Sequence, residues 1–84
     1  MKYEIEIERV AVKALQKIQT TDREKIINII NRLAHNPRPV GSKKLTGREG
    51  WRIRVGNYRI IYEIKDTACY ILVLDVGHRK DVYR

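Results

Sequence analysis

The stretch from Trp51 to Ile60, WRIRVGNYRI, restricts the fold more than any other part of the chain. Apolar and basic residues alternate on both sides of a Gly56-Asn57 pair, and period-two alternation around a two-residue turn is the signature of a β-hairpin. Val55 then pairs with Tyr58, so Arg54 pairs with Arg59, and Arg52 points to the same face. Trp51, Ile53, Val55, Tyr58, Ile60 and Tyr62 take the other face, where helices can cover them. Three guanidiniums on one face oppose folding: at about 5 Å, even full aqueous screening leaves on the order of 1 kcal/mol of repulsion per pair. The cluster is either a set of solvated outward positions, balanced by Glu63 or Asp75, or an anion site. In the second case the planar forks of arginine would grip phosphate oxygens in pairs.

The remaining chain supplies what the hairpin needs to bury its apolar face. Tyr3, Ile5 and Ile7 alternate with Glu4 and Glu6, which predicts a half-buried strand. Ala11, Ala14, Leu15 and Ile18 then follow the spacing of one helix face. Thr21-Asp22-Arg23-Glu24 has the form of a capping box opening a second helix, whose apolar face is Ile26, Ile27, Ile29, Ile30, Leu33 and Ala34. Pro37 disfavours helical geometry at Asn36, so the helix ends there. Residues 38–50 show no periodicity and read as a basic, mobile loop. The run CYILVLDV from Cys69 to Val76 is apolar on both faces, which predicts a strand inside the sheet rather than at its edge, with Cys69 as a plain buried strand residue. The expected fold is α+β with the order β-α-α-β-β-β: two N-terminal helices packed on one face of a four-stranded, mostly antiparallel sheet, followed by a short basic tail. Residues 1–84 are expected to form one domain.

Composition narrows the chemistry. The net charge is +8, and so basic a surface attracts polyanions and gains free energy by releasing their counterions. Nucleic acid is the first partner to consider, with plain solubility or an acidic protein partner as the alternatives. One cysteine and two histidines show no zinc-ligand spacing, so neither metal nor cofactor is expected. The single serine, Ser42, lacks a nucleophile elbow, and no phosphate-binding glycine motif occurs. No apolar run is long enough to span a bilayer and no signal-peptide block is visible, so a cytoplasmic protein is expected. Past the last strand come His78, Arg79, Lys80 and Tyr83. An imidazole and a phenol near arginines are the parts needed to move protons around a phosphodiester.

WRIRVGNYRIIYEI, followed after one strand by VLDVGHRKDVYR, resembles the C-terminal half of RelE-type toxins of the RelE/ParE superfamily. The preceding strand-helix-helix, the NPRP break and the KKLTG loop extend the resemblance over essentially the whole chain. It implies a ribosome-dependent, metal-independent endoribonuclease that cuts messenger RNA in the decoding site and is held in check by a RelB-like antitoxin. By the same resemblance, Arg52 and Arg54 bind and orient the scissile phosphate, Arg59 stabilises charge in the transition state, Arg79 matches the arginine of the VGxR segment, and Tyr83 is the general base. Cleavage would proceed by attack of the 2′-hydroxyl on phosphorus, leaving a 2′,3′-cyclic phosphate. A phenol with a reference pKa near 10 acts as base only where cations lower it. Arginine is a poor proton donor, so His78 is the better candidate for the leaving-group acid beside Arg79. Many relatives have lysine at this position. Lys43, Lys44 and Arg48 in the loop, with Lys80 and Arg84 in the tail, are expected to contact RNA or the ribosome. The alternatives are a ParE-like inhibitor of DNA gyrase and a non-catalytic relative that binds only nucleic acid or antitoxin.

Overall fold

A computed structural model describes residues 2–78. Strand β1 (Glu4–Ile7) leads into helices α1 (Arg9–Gln16) and α2 (Thr20–Leu33); β2 (Lys43–Lys44), β3 (Trp51–Val55), β4 (Tyr58–Lys65) and β5 (Tyr70–His78) follow, with a short 3-10 turn at Asp66–Ala68. The strands form one mixed sheet in the order β1-β5-β4-β3-β2, in which only the β1–β5 pairing is parallel. Five strands therefore stand where four were expected. The added one is Lys43–Lys44, which pairs with Arg52 and Trp51 and is too short for any alternation to show in the sequence.

The hairpin forms with the expected register, Val55 opposite Tyr58 and Arg54 opposite Arg59. Gly56 alone of the two turn residues has positive φ (61°), the pattern of a type II′ turn. Strand β5 lies inside the sheet, between β1 and β4.

The core lies between the helices and one sheet face. Ala11 and Leu15 of α1 and Ile26, Ile30 and Leu33 of α2 are buried against Ile53, Ile60, Tyr62, Ile71, Val73 and Val76. Fully burying each such aliphatic side chain is worth about 1.5–3 kcal/mol. Tyr62, wholly buried, still satisfies its hydroxyl by donating to the Pro37 carbonyl oxygen at 2.8 Å. That bond ties the chain just past α2 to the centre of the sheet.

Two local expectations are corrected. Helix α2 starts at Thr20 behind Gln19, with no side-chain cap bond, so Thr21 is already inside the first turn and the capping box is not formed. The Arg23 guanidinium occupies that end instead, donating to the Thr20 Oγ1 at 3.3 Å and to the Ile18 carbonyl at 3.5 Å. Cys69 is not a buried strand residue; it closes the 3-10 turn in the left-handed region (φ 50°), half-buried, just before β5.

Candidate functional site

Strand register distributes side chains between two faces. On the face away from the helices, Lys43, Arg52, Ile61 and Asp75 form one row across β2 to β5, and Arg54, Arg59 and Gly77 form the next. Arg54 and Lys43 are exposed, while Arg52 and Arg59 are half-buried. Ile61 is only 4% exposed and lies outside the main core cluster. Farther across the same face stand Glu63, Glu6 and Glu4. Positive charge is thus gathered at the β2–β3–β4 end and negative charge toward the β1 edge, where Tyr70 donates to the Glu6 Oε1 at 2.5 Å. That bond pushes the Tyr70 phenol up to about 12.

The structure brings Arg52, Arg54, Arg59 and Lys43 together. It does not add His78. Residue 78 is the cross-strand partner of Tyr58, and the two rings meet edge-on with centroids 6.0 Å apart. Tyr58 packs against the core, so the imidazole is on the helix side of the sheet, not on the arginine face where a leaving-group acid was expected. Lys44 also turns to that side as the partner of Trp51. Arg48 is exposed in the loop between β2 and β3, which the Leu45 amide closes by donating to the Gly50 carbonyl at 2.9 Å. Arg79, Lys80, Tyr83 and Arg84 lie outside the described residues. Among the described residues no group of three or more His, Cys, Asp or Glu side chains could hold a metal, and no helix is long and apolar enough to cross a membrane.

A second assembly, unmarked in the sequence, occupies the helix-side end of β2 and β3. The Arg38 guanidinium carbon sits over the Trp51 ring, 5.2 Å from its centroid. Asp66 holds that guanidinium in a two-point ion pair, Nη2 to Oδ2 at 2.8 Å and Nη1 to Oδ1 at 3.3 Å, and the Tyr3 hydroxyl donates to Oδ1 at 2.7 Å. Arg38, then Tyr3, keeps the Asp66 carboxyl below the usual carboxylate range, and the bond to Asp66 raises the Tyr3 phenol. An open cleft of about 460 Å³ lies against Arg38, Lys44, Trp51 and Lys65, with the carboxylates of Glu49, Glu63 and Asp66 also on its wall. Lys65 is shared by Glu63 at 3.5 Å and Glu49 at 3.8 Å.

Comparison with known proteins gives a consistent result. A family model described as the ParE toxin of the type II toxin-antitoxin system parDE matches residues 5–83. A putative toxin RelE1 of Methanocaldococcus jannaschii is 27% identical, with 100% of this chain and 98% of that protein aligned. Among solved structures, the archaeal RelE-RelB complex of Pyrococcus horikoshii is 27% identical with a TM-score of 0.85, covering 98% of this chain and 100% of the other. The RelB-RelE complex of Methanococcus jannaschii is 32% identical with a TM-score of 0.72, covering 92% and 93%.

Proposed function

Because this chain belongs to the ParE toxin family of type II toxin-antitoxin systems, we propose that it is a RelE-like toxin that cleaves messenger RNA on the ribosome. The observation that carries this is the pairing of Arg54 with Arg59, beside Arg52 and Lys43, on the sheet face that neither helix covers. Like charges set opposite each other detract from folding, and a bound phosphodiester turns that cost into affinity.

In this mechanism Arg52 and Arg54 hold the scissile phosphate and Arg59 stabilises the charge that develops on its oxygens. Tyr83 removes the proton from the 2′-hydroxyl, which attacks phosphorus. The bond to the 5′-oxygen breaks, giving a 2′,3′-cyclic phosphate and a 5′-hydroxyl. With His78 facing Tyr58, departure of the 5′-oxygen rests on charge stabilisation by guanidiniums, with water supplying the proton. The protein partner is a RelB-like antitoxin, in keeping with the RelE-RelB complexes of similar fold. An acidic or amphipathic antitoxin segment would neutralise the arginine face or displace the tail.

The test is primer extension on a reporter message incubated with purified protein, with and without ribosomes. New ends that appear only with ribosomes support the proposal. The family model, named for ParE, favours a second reading, inhibition of DNA gyrase. No cleavage on ribosomes, together with gyrase trapped on DNA, would establish that alternative instead.

A further inference from the structure

The two residues of β2 point to opposite sides of the sheet edge. Lys43 joins Arg52 on the arginine face, and Lys44 joins Trp51 on the other, at the cleft under Arg38. Adjacent residues are about 3.8 Å apart, so a polyanion lying across the arginines reaches the cleft by turning around one strand. There Arg38 is held in place from two directions. The Trp51 ring lies beneath its guanidinium, and Asp66, itself anchored by Tyr3, grips it edge-on. Its side chain nevertheless keeps 43% of its surface exposed. A guanidinium fixed at its edge and backed by an indole has one planar surface left, and unpaired bases stack on such surfaces.

We infer that the Arg38–Trp51 cleft is a nucleotide subsite, in which an unpaired RNA base stacks on Arg38 while Lys44 meets its phosphate. The site rests on the RNA-directed function proposed above and extends it to the reverse side of the β2 edge. Arg38→Lys removes the planar surface and leaves at most one point of the two-point pair with Asp66, so its urea midpoint is measured beside its binding: a purely structural clamp would lose stability and leave RNA binding as in wild type.

Trp51 is the only tryptophan, so its fluorescence reports on this cleft. Wild type, Arg38→Lys and the double variant Arg52→Ala, Arg54→Ala would each be titrated with a single-stranded purine octaribonucleotide, and each pelleted with message-programmed ribosomes. Stacking on one base corresponds to about 5- to 100-fold in affinity. A change in Trp51 fluorescence with the octamer, together with binding weakened to that extent by Arg38→Lys, supports the subsite and identifies a message-like strand as its occupant. The same weakening on ribosomes alone supports it with ribosomal RNA as the occupant. If Arg38→Lys binds both probes like wild type while the double arginine variant loses binding, the subsite is wrong and the RNA-directed function stands. If wild type binds neither probe, both fall.

Discussion

Replacing Arg54 by glutamine should make the protein more stable and a poorer RNA binder at once. Val55 and Tyr58 close the turn, so Arg54 and Arg59 form the next pair along the ladder, with Cα atoms about 4.5–5.5 Å apart. Arg54 is exposed and can splay, which puts the two charges at roughly 5–8 Å. Coulomb energy at that separation in water is about 0.5–1 kcal/mol. Glutamine keeps much of the stem and removes the charge. The gain should shift the thermal midpoint up by about 2–8 °C for a domain of this size.

Urea unfolding is the appropriate assay because urea leaves ionic strength free to vary. At about 0.01 M salt the Debye length is ~30 Å and the advantage of the variant should be present in full; at 1 M it is ~3 Å and the two midpoints should converge. The slope of log affinity for RNA against log salt should become shallower by about 1, as for loss of one phosphate contact. A variant less stable than wild type at low salt would show that Arg54 is balanced by an acidic neighbour, which would refute the repulsion argument. A more stable variant with an unchanged salt slope would show that the cluster does not meet phosphate.

In the cleavage assay, Tyr83→Phe should lower the rate by about 10² to 10⁴ with ribosome binding retained, whereas His78→Gln should change it by less than about tenfold; the reverse order would return the imidazole to the site. Burial pushes the Tyr62 phenol up to about 12, above its value near 10 in an unfolded chain, so its contribution to stability is fully present below pH 10 and is lost as pH rises through 12. Tyr62→Phe should therefore flatten the alkaline limb of a stability-against-pH curve, and an unaltered limb would show that this phenol is not responsible. Gly50→Ala forces a side chain onto φ +128°, with its Cβ 3.0 Å from the Leu45 Cδ1 and 3.3 Å from the Tyr62 carbonyl oxygen; a loss of about 1–3 kcal/mol is expected by urea unfolding, and no loss would mean the β2–β3 loop adjusts freely.

The hairpin and the arginine pairing were legible because their determinants are local: a two-residue turn and strict alternation specify the register without knowledge of the rest of the chain. The helix faces were legible for the same reason, since Leu15, Ile26, Ile30 and Leu33 recur at helical spacing and are buried as expected. What escaped depends on partners far apart in sequence. Arg38 is 28 residues from Asp66 and Tyr3 is 63, and nothing near any of them marks the pairing. Trp51 was legible only as an apolar residue of the covered face; that its ring would carry a guanidinium follows from where the loop after α2 passes. The missing cap of α2 has a similar cause. Arg23 reaches back across the turn to Thr20 and Ile18, an alternative that the Thr-x-x-Glu pattern does not contain.

His78, expected in the tail past the last strand, is instead the last residue of β5, and the side it takes can be traced to one residue. If β5 kept strict alternation from Ile71, the core positions would be 71, 73, 75 and 77, which would bury Asp75 and Gly77 and turn Val76 and His78 out beside the arginines. The observed register instead pairs Ile61 with Asp75 and Tyr62 with Val73, leaving Leu74 as an extra residue in β5. A bulge of this kind reverses the parity of everything after it. Val76 therefore enters the core at 2% exposure and Asp75 moves to the open face, its Oδ1 accepting the Val76 amide at 2.9 Å beside the bulge. Burying Val76 rather than a carboxylate is worth far more than one lost ladder bond, because an unpaired charge in the core costs several kcal/mol. The same step opens the space opposite Arg59, since Gly77 faces it with no side chain, and carries His78 round to Tyr58. The four apolar residues in a row from Ile71 to Leu74, with Val76 beyond the aspartate, hide such a bulge, because either parity then looks acceptable until the cost of burying Asp75 is counted.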